Sequence, residues 1–242
     1  MHSPMEQFEI KRLLDFRIGS LDASYTNSAL WMTIAVIAAF FVFVVGMQKK
    51  ALIPGRLQSM AELGYEFIAG MVRDNVGDAG RKYFPFVLTL FVFILFCNVL
   101  GLIPYSFTAT SHIVVTFAMA AVVFVGVTII GFARHGAHFL SFFVPSGVPA
   151  WLLVILVPIE IISYFVRPFS LSIRLFANML AGHTMLKVFG GFVVMLGIIG
   201  GWAPLAFIVA LTGLELLIAF LQAYVFAILT CLYLNDAIHL HH

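Results

Sequence analysis

Long apolar runs separated by short polar segments dominate this chain. The runs cover residues 30–47, 84–103, 112–133 and, almost without interruption, 151–234. A helix that crosses the hydrocarbon core of a bilayer needs about 20 apolar residues. The first three runs each have room for one such helix, and the last has room for two. The pattern therefore predicts an all-α integral membrane protein with five membrane helices.

The segment between the first two runs has a different pattern. Charged residues interrupt residues 51–82 throughout, whereas the apolar residues recur at helical spacing: Met60, Leu63, Phe67, Ile68, Met71 and Val72. Apolar residues that return every three or four positions form one face of a helix. We therefore expect an amphipathic helix over about residues 57–77, lying on the membrane surface.

The last apolar run predicts two helices of unusual length, over about residues 151–187 and 191–235. We expect a break near Lys187–Gly191, and a second interruption lies near Gly197–Pro204. At about 1.5 Å per residue the first helix alone exceeds roughly 50 Å, whereas the hydrocarbon core is roughly 30 Å thick. Both helices are therefore expected to be steeply tilted or bent, with three candidate bend points in the first: Pro158, Pro168 and Gly182.

The composition agrees with a membrane location and excludes other classes of protein. Of the 242 residues, 62% are hydrophobic and only 10% are charged, whereas an ordinary soluble domain has about 25% charged residues. The net charge is only +2 and no basic run contains interleaved aromatic residues, so nucleic acid is not expected as a partner. Cys97 and Cys231 lie in apolar runs, which indicates buried free thiols. No metal site or cofactor is expected, because His135 and His138 lack a third ligand nearby.

Basic residues indicate the orientation of the helices. If the first three spans alternate in direction, seven basic residues share one side: Lys49, Lys50, Arg56, Arg73, Arg81, Lys82 and Arg134. Loops rich in Lys and Arg remain in the cytoplasm, so the N-terminus is external and, after five spans, the C-terminus is cytoplasmic. We expect an external N-terminal segment over residues 1–29 and a single polytopic membrane domain over residues 30–242.

Few ionisable side chains lie within the last apolar run: Glu160, Arg167, Arg174, His183, Lys187 and Glu215. The first three are seven residues apart, and at 100° per residue they return to one face of a helix. Four further polar residues lie near the same stripe: Ser163, Tyr164, Ser170 and Asn178. On the last helix, Glu215 and Gln222 are again seven residues apart and share a face.

Arg174 is the most costly of these residues to place in a membrane. Arginine stays protonated at any accessible pH, and a charge at mid-bilayer depth costs between roughly 3 and 10 or more kcal/mol. A polar path, a partner or a charge-transfer step is needed to retain it there. Ion movement is therefore the first hypothesis for the function.

Two polar tracks lie on either side of Arg174. One lies toward the cytoplasmic end of its helix: Glu160, Ser163 and Tyr164. The other, His183 with Glu215, lies toward the outside. A glutamate that faces an imidazole can pass protons, because histidine titrates near neutrality. An arginine between the two tracks is a fixed positive barrier to a proton that would cross directly.

Structural roles remain open for several of these residues. Arg167 is alternatively an interfacial side chain whose charged end reaches the membrane surface. Glu160 alternatively neutralises an arginine, and Asn178 and Gln222 alternatively join helices by hydrogen bonds. The spacing Gly197-x-x-x-Gly201 is a weak signal for a helix contact.

Two motifs in the last apolar run resemble one protein family. Residues 170–183, SLSIRLFANMLAGH, strongly resemble the signature of the a subunit of F-type ATP synthases. Residues 221–226, LQAYVF, resemble the last-helix motif of the same family. Many bacterial members carry Glu where this chain has His183, and His where it has Glu215. The reversed pair is similar to mitochondrial and alphaproteobacterial members, and a pair in contact preserves the chemistry.

The resemblance, which covers essentially the whole chain, implies a non-catalytic stator subunit that carries protons beside a rotating ring. Arg174 matches the essential arginine that meets the ring carboxylate, and Glu160 matches an acidic position of the inner half-channel. Four residues match polar positions of the outer half-channel region: Asn178, His183, Glu215 and Gln222. The implied partners are c-ring subunits, b-type peripheral stalk subunits and the rest of the ATP synthase complex, in the lipid of a bacterial inner membrane.

Two other classes of function stay open at this point. An intramembrane enzyme based on His183 and Glu215 needs a nucleophile or a metal set, and the sequence contains no recognisable one. A self-contained ion channel or secondary transporter is the better alternative. Such transporters often contain internal repeats with broken helices in corresponding halves, and no such symmetry is evident in this sequence. The choice between proton and sodium also stays open.

Overall fold

The protein is described by a computed structural model that covers residues 9–15, 17–18, 21–22, 24–48, 54–103, 106–144 and 149–239. Its helices follow in the order α1 Asn27–Phe40, α2 Arg56–Val76, α3 Phe84–Gly101, α4 Ile113–His135, α5 Ala150–Gly200 and α6 Trp202–Ile238. A π-helical segment, Phe41–Val45, extends α1. Between helices, the described residues also contain three 3₁₀ segments: Asp78–Tyr83, Ala109–Ser111 and Gly136–Phe143.

The described residues contain five helices that are long and apolar enough to cross a membrane: Asn27–Val45, Asp78–Gly101, Ile113–Phe143, Trp151–Gly197 and Trp202–Ile238. In the absence of water, a membrane span must satisfy its own backbone hydrogen bonds, and an α-helix does so within one segment. The prediction of an all-α membrane protein with five membrane helices is therefore confirmed.

Short strands precede α1 in the segment for which the sequence predicted no secondary structure. They form two antiparallel ladders: β1 (Arg12–Leu14) with β4 (Tyr25–Thr26), and β2 (Arg17–Ile18) with β3 (Leu21–Asp22). Arg12 lies opposite Thr26, and the Thr26 hydroxyl accepts a hydrogen bond from the first turn of α1. A threonine side chain at this position satisfies a backbone amide that has no partner within the helix.

The helix α2 is the amphipathic helix that the sequence predicts, within one residue of the expected ends. It packs against α3 and α6. Of the apolar face predicted from the sequence, Ile68, Met71 and Val72 are buried, whereas Met60, Leu63 and Phe67 are exposed. The helix ends at Gly77, whose φ of +75° is a conformation that glycine adopts without steric cost.

The centre of the bundle is α6, which packs against α2, α3, α4 and α5. Ala219, Ala223 and Ala227 lie one turn apart on α6, and all three are fully buried. Small side chains at this spacing allow helix backbones to approach closely. The alanine face therefore allows α6 to approach its neighbours closely.

The predicted break near Lys187–Gly191 is wrong, because α5 continues through these residues to Gly200. Gly190 and Gly191 have open space where a side chain would lie, and a helix in an apolar setting tolerates glycine because its backbone hydrogen bonds stay internal. Within α5 the non-helical backbone lies at Gly197, with a φ of +63°.

The pair Gly197 and Gly201 forms the turn between α5 and α6. A Cβ atom at Gly201 would lie 2.6 Å from the Gly197 carbonyl oxygen, so a larger residue does not fit. The spacing that suggested a helix contact therefore belongs to a tight turn. The proposed bend points Pro158, Pro168 and Gly182 all lie within the continuous part of α5.

Candidate functional site

His183 and Glu215 are in direct contact, as the sequence predicted. Nδ1 of His183 lies 2.5 Å from Oε1 of Glu215, and the two side chains are only 10% and 5% exposed. The first belongs to α5 and the second to α6, which pack against each other. An ionised group is costly away from water unless it is paired. Each residue therefore offsets the free-energy cost of burying the other.

Gly182 provides the space in which the Glu215 carboxyl group lies. A Cβ atom at position 182 would be 2.6 Å from Glu215 Oε1 and 3.0 Å from its carboxyl carbon. Neither distance is compatible with ordinary van der Waals contact, so a residue with a side chain forces the carboxyl group to move. Consecutive residues on α5 therefore serve one contact: Gly182 admits the carboxyl group, and His183 faces it.

The connection between α3 and α4 contacts the other side of the His183 ring. Nε2 of His183 lies 2.8 Å from the Thr108 hydroxyl oxygen and 2.9 Å from the Gly101 carbonyl oxygen. At the end of the connection, the His112 ring stacks on Phe107 with centroids 5.0 Å apart, and burial lowers the pKa of His112. The His183 ring is thus held between α6 and this connection.

Asn98 joins the same connection to α6. Its side-chain amide donates to the Ala219 carbonyl at 3.2 Å, and its Oδ1 accepts from the Thr110 hydroxyl at 2.8 Å. Asn98 and Thr110 are fully buried. Ala219 is one helical turn from Glu215. This network therefore fixes the position of α6 along its own axis relative to the end of α3.

Arg174 lies on an exposed face of α5, where its neighbours are uncharged. Ser170, Ile173 and Ala177 are exposed on the same side of the helix. Among the residues that the structure describes, no carboxylate lies within salt-bridge distance of Arg174. On α6, an apolar face is exposed: Leu214, Leu217 and Leu221.

The residues predicted near Glu160 separate into exposed and buried positions. Glu160 is half-buried, whereas Ser163 and Ser170 are exposed. Tyr164 is buried against α4, where its hydroxyl lies 2.7 Å from the Thr128 hydroxyl. The stripe predicted from helical spacing is therefore divided: Ser163, Ser170 and Arg174 are exposed, whereas Tyr164 is buried and Arg167 contacts Asp236 on α6.

Arg167 has a partner inside the protein. Its guanidinium donates to Asp236 on α6 at 3.0 Å. It also lies 5.2–5.9 Å from the centroids of three aromatic rings: Phe142, Tyr164 and Tyr233. An arginine over aromatic faces gains cation–π attraction in addition to the ion pair. The contact joins α5, α6 and the 3₁₀ segment after α4.

Asn178 and Gln222, the remaining predicted site residues, form no hydrogen bond with the His183–Glu215 pair in the described part of the chain. Asn178 and Gln222 are half-buried on α5 and α6. Neither makes a side-chain hydrogen bond within the described part of the chain. Lys187 is exposed within α5, which continues to Gly200, so it does not lie at a helix end.

Several residues of the site were missed in the sequence because they are uncharged or lie outside the last apolar run. Asn98 is a polar residue inside a membrane span, and a hydroxyl-rich segment follows the same span: Ser106, Thr108, Thr110 and Ser111. Those features were available as signals. Asp236 lies just beyond the apolar run and had no visible partner in the sequence. In the described ranges, no group of three His, Cys, Asp or Glu residues could hold a metal ion.

These features define a class of protein: a polytopic α-helical membrane protein whose two longest helices carry a buried His–Glu pair and an exposed arginine. A family model described as ATP synthase A chain matches residues 29–235. The chain is 58% identical over 241 residues to ATP synthase subunit a of Pelagibacter ubique, with 99% of both chains covered. It is also 58% identical to the subunits a of Paramagnetospirillum magneticum and Rhodospirillum rubrum, with both chains fully covered.

The chain therefore belongs to the ATP synthase A chain family. It is a non-catalytic, proton-translocating subunit of the membrane sector of an F-type ATP synthase and acts within that complex. The five apolar helices and the family together identify it as a multi-pass bacterial membrane protein.

Proposed function

We propose that this chain forms two offset aqueous half-channels that carry protons to and from the carboxylates of a c-ring, with Arg174 separating them. In this proposal the outer half-channel contains Asn178, His183, Glu215 and Gln222. The inner one contains Glu160, with further lining from Ser163, Tyr164, Arg167 and Ser170. The observation that carries the proposal is the position of Arg174, charged and exposed on a helix face with no carboxylate partner among the described residues.

A permanent charge on this face needs a partner from outside the chain. An isolated charge within the hydrocarbon core costs roughly 3 to 10 or more kcal/mol, and the described residues supply no carboxylate to Arg174. A ring that presents one carboxylate at a time to this position meets both requirements, because it covers this face and pairs with the arginine. The exposed apolar residues of α5 and α6 supply the matching surface.

The two polar groups lie on opposite sides of Arg174 along α5. At about 1.5 Å per residue, His183 is roughly 13 Å from Arg174 toward one end, and Glu160 is roughly 21 Å toward the other. A proton path that reaches His183 from one side therefore stops short of a path that reaches Glu160 from the opposite side. This offset supports separate half-channels rather than one continuous pore.

The direction of proton transfer to and from the ring follows from the charges of the groups along the two half-channels. A proton entering through the His183–Glu215 pair neutralises a ring carboxylate, which can then face lipid without a charge. After nearly a full rotation the carboxyl group reaches the inner path and approaches Arg174, where a fixed positive charge favours the ionised form and the proton is released. A membrane potential contributes about 2.3 kcal/mol per charge for each 100 mV. The same fixed charge opposes a proton that would pass directly between the half-channels.

The orientation and the contacts beyond the ring complete the proposal. The distribution of Lys and Arg supports an external N-terminus and a cytoplasmic C-terminus. The amphipathic helix α2 then lies on the cytoplasmic surface of the membrane. We further propose b-type peripheral stalk subunits as partners, because a stator must be held against the torque of the ring.

The test is ATP-driven acidification of membrane vesicles that contain the native complex or an Arg174→Ala variant. We expect the variant to assemble and to lose pumping, and an Arg174→Lys variant to show how much of the effect depends on the guanidinium group. The amount of assembled complex is measured in each preparation as the control. Undiminished pumping by Arg174→Ala would refute the stator proposal and favour a self-contained channel or transporter.

A further inference from the structure

The protonation of His183 can be assigned from the groups that surround its two ring nitrogens. Nε2 lies 2.9 Å from the Gly101 carbonyl oxygen, which can only accept a hydrogen bond. A bare Nε2 would direct its lone pair at that oxygen, which is repulsive. A protonated Nε2 instead donates to it, and the Thr108 oxygen at 2.8 Å accepts the same proton in a shared hydrogen bond.

The Gly101 carbonyl is available because it lies at the end of a helix. Gly101 is the last residue of α3, and the last carbonyl groups of a helix have no donor within it. Two hydroxyl groups donate to this oxygen in addition to His183: Ser106 at 2.9 Å and Thr108 at 3.3 Å. The negative end of the helix dipole also favours a donor at this position.

The glycine is required for this arrangement. A Cβ atom at Gly101 would lie 2.8 Å from the Thr108 methyl carbon and 2.9 Å from its hydroxyl oxygen. Only a residue without a side chain lets the Thr108 hydroxyl approach both the carbonyl and the His183 ring. The hydrogen bonds of Asn98 to Thr110 and to Ala219 on α6 hold the rest of the connection in position beside α6.

With a proton fixed on Nε2, the contact on the other side of the ring has room for one proton. Nδ1 of His183 and Oε1 of Glu215 are 2.5 Å apart. Without a proton between them, two lone pairs would face each other, and with two protons the hydrogen atoms would collide. The remaining states are a neutral carboxylic acid beside a neutral imidazole, and a carboxylate beside an imidazolium.

We propose that the end of α3 and the connection after it, through Gly101 and Thr108, hold a proton on Nε2 of His183 and so give the resting His183–Glu215 pair a single exchangeable proton. In a transfer within the pair, the O–H bond of Glu215 breaks and an N–H bond forms at Nδ1, so the net charge of the pair is unchanged. The second carboxyl oxygen, Oε2, is buried and has no hydrogen-bond partner among the described residues. In the proposal, Oε2 binds a second proton while Nδ1 keeps the first, which gives the pair one positive charge, and the loss of that second proton restores the resting pair.

Thr108 is thus a positioning residue for the outer half-channel, and its role in transport rests on the proposed function. The assignment of the proton to Nε2 does not, because it concerns the resting structure. The two statements can therefore fail separately, and the experiment below measures them separately.

Solid-state NMR of the assembled complex with ¹³C,¹⁵N-labelled histidine in this chain tests the assignment. The signals that disappear in a His183→Gln variant belong to His183, and a ring nitrogen with an attached proton differs clearly in ¹⁵N shift from a bare one. We expect Nε2 of His183 to be protonated. A bare Nε2 with the proton confined to Nδ1 would overturn the proposal whatever the transport activity.

Three threonine variants test the role of the hydroxyl group. Thr108→Val keeps the side-chain shape but removes the acceptor, so the Nε2 signal is expected to shift and ATP-driven acidification to fall roughly fivefold, the factor that one hydrogen bond is worth. Thr108→Ser restores both. Thr230→Val is the matched control, because Thr230 is equally buried and its hydroxyl donates only to the Phe226 carbonyl of its own helix.

The outcomes separate clearly. If Thr108→Val changes neither the His183 signals nor the rate relative to Thr230→Val, Thr108 has no positioning role. If the signals shift but the rate does not, the positioning does not serve transport, and that part of the proposal is refuted. If Thr108→Val fails to assemble, the native chain and Thr108→Ser still decide the state of Nε2. Loss of the stator function in the Arg174 experiment would leave the NMR result standing.

Discussion

Replacing Gly182 by alanine places one methyl group directly against the Glu215 carboxyl group. The added Cβ would lie 2.6 Å from Oε1, whereas ordinary contact begins at 3.4 Å. The carboxyl group, the helix or both must therefore move by about 0.8 Å in total, and a misplacement of about 1 Å in a reacting group costs on the order of 100-fold in rate. We expect ATP-driven acidification to fall roughly 10- to 100-fold.

If the helices adapt to the added methyl group instead, the substitution lowers the stability of the complex. Overpacking a well-packed site costs about 1–3 kcal/mol, so the complex is expected to assemble while becoming less stable. Gly190→Ala is the matched control, because a Cβ atom at Gly190 meets nothing within 4 Å and the residue lies in the same helix. An alanine in a helix interior is otherwise favourable by about 0.5–1 kcal/mol over glycine.

The assay compares inverted vesicles that contain equal amounts of assembled complex. Acidification is measured with ATP, and the rate is divided by the rate of ATP hydrolysis in the same vesicles, so that a change in coupling is separated from a change in assembly. If Gly182→Ala pumps as well as Gly190→Ala, the carboxyl group of Glu215 does not need its position beside α5, and the reasoning from this contact is wrong.

Three further substitutions test other contacts. Asp236→Asn removes the ionised partner of Arg167. Because the pair is partly exposed, we expect the complex to lose about 1–2 kcal/mol of stability, measured as a lower Tm. An unchanged Tm would mean that the aromatic rings alone hold the arginine. Asn98→Leu leaves the buried Thr110 hydroxyl without its acceptor and is expected to cost about 1–3 kcal/mol in the same measurement; native stability would contradict the network. Glu160→Gln removes a carboxylate from the proposed inner path and is expected to slow ATP-driven acidification, and normal pumping would count against that role.

The fold was largely predictable because the membrane imposes a simple rule on sequence. Each span must be apolar over about 20 residues, so the five helices and the amphipathic α2 were visible as runs and periodicity. The boundary between α5 and α6 was not predictable in this way, because glycine in an apolar sequence is found both within a continuous helix and at a turn. Gly190 and Gly191 continue the helix, whereas Gly197 turns it, and only the local backbone distinguishes them.

The charged part of the site was visible for a related reason. Arg174, His183 and Glu215 stand out because an ionisable residue in lipid is costly, and the motif around them completed the argument. The supporting residues could not be found in this way. Gly101 acts through a backbone carbonyl and Thr108 through a hydroxyl, and both are brought to His183 by a chain reversal that local periodicity does not encode.

The partner of Arg167 shows the same limit. Its spacing from Arg174 suggested a shared face, and that spacing says nothing about a carboxylate 69 residues further along the chain. The packing of α5 against α6 decides the contact with Asp236. Spacing within one helix is therefore a guide to shared faces, and contacts between helices need the three-dimensional structure.

In the proposed function, Arg174 keeps two proton paths apart while it meets the ring carboxylate. The most direct test is the passive proton permeability of vesicles that contain the assembled membrane sector without its ATPase sector. We predict that Arg174→Ala raises this permeability above that of the native complex while ATP-driven acidification of the complete complex is lost, because the positive barrier between the half-channels is gone. Unchanged permeability together with intact ATP-driven acidification would contradict the account.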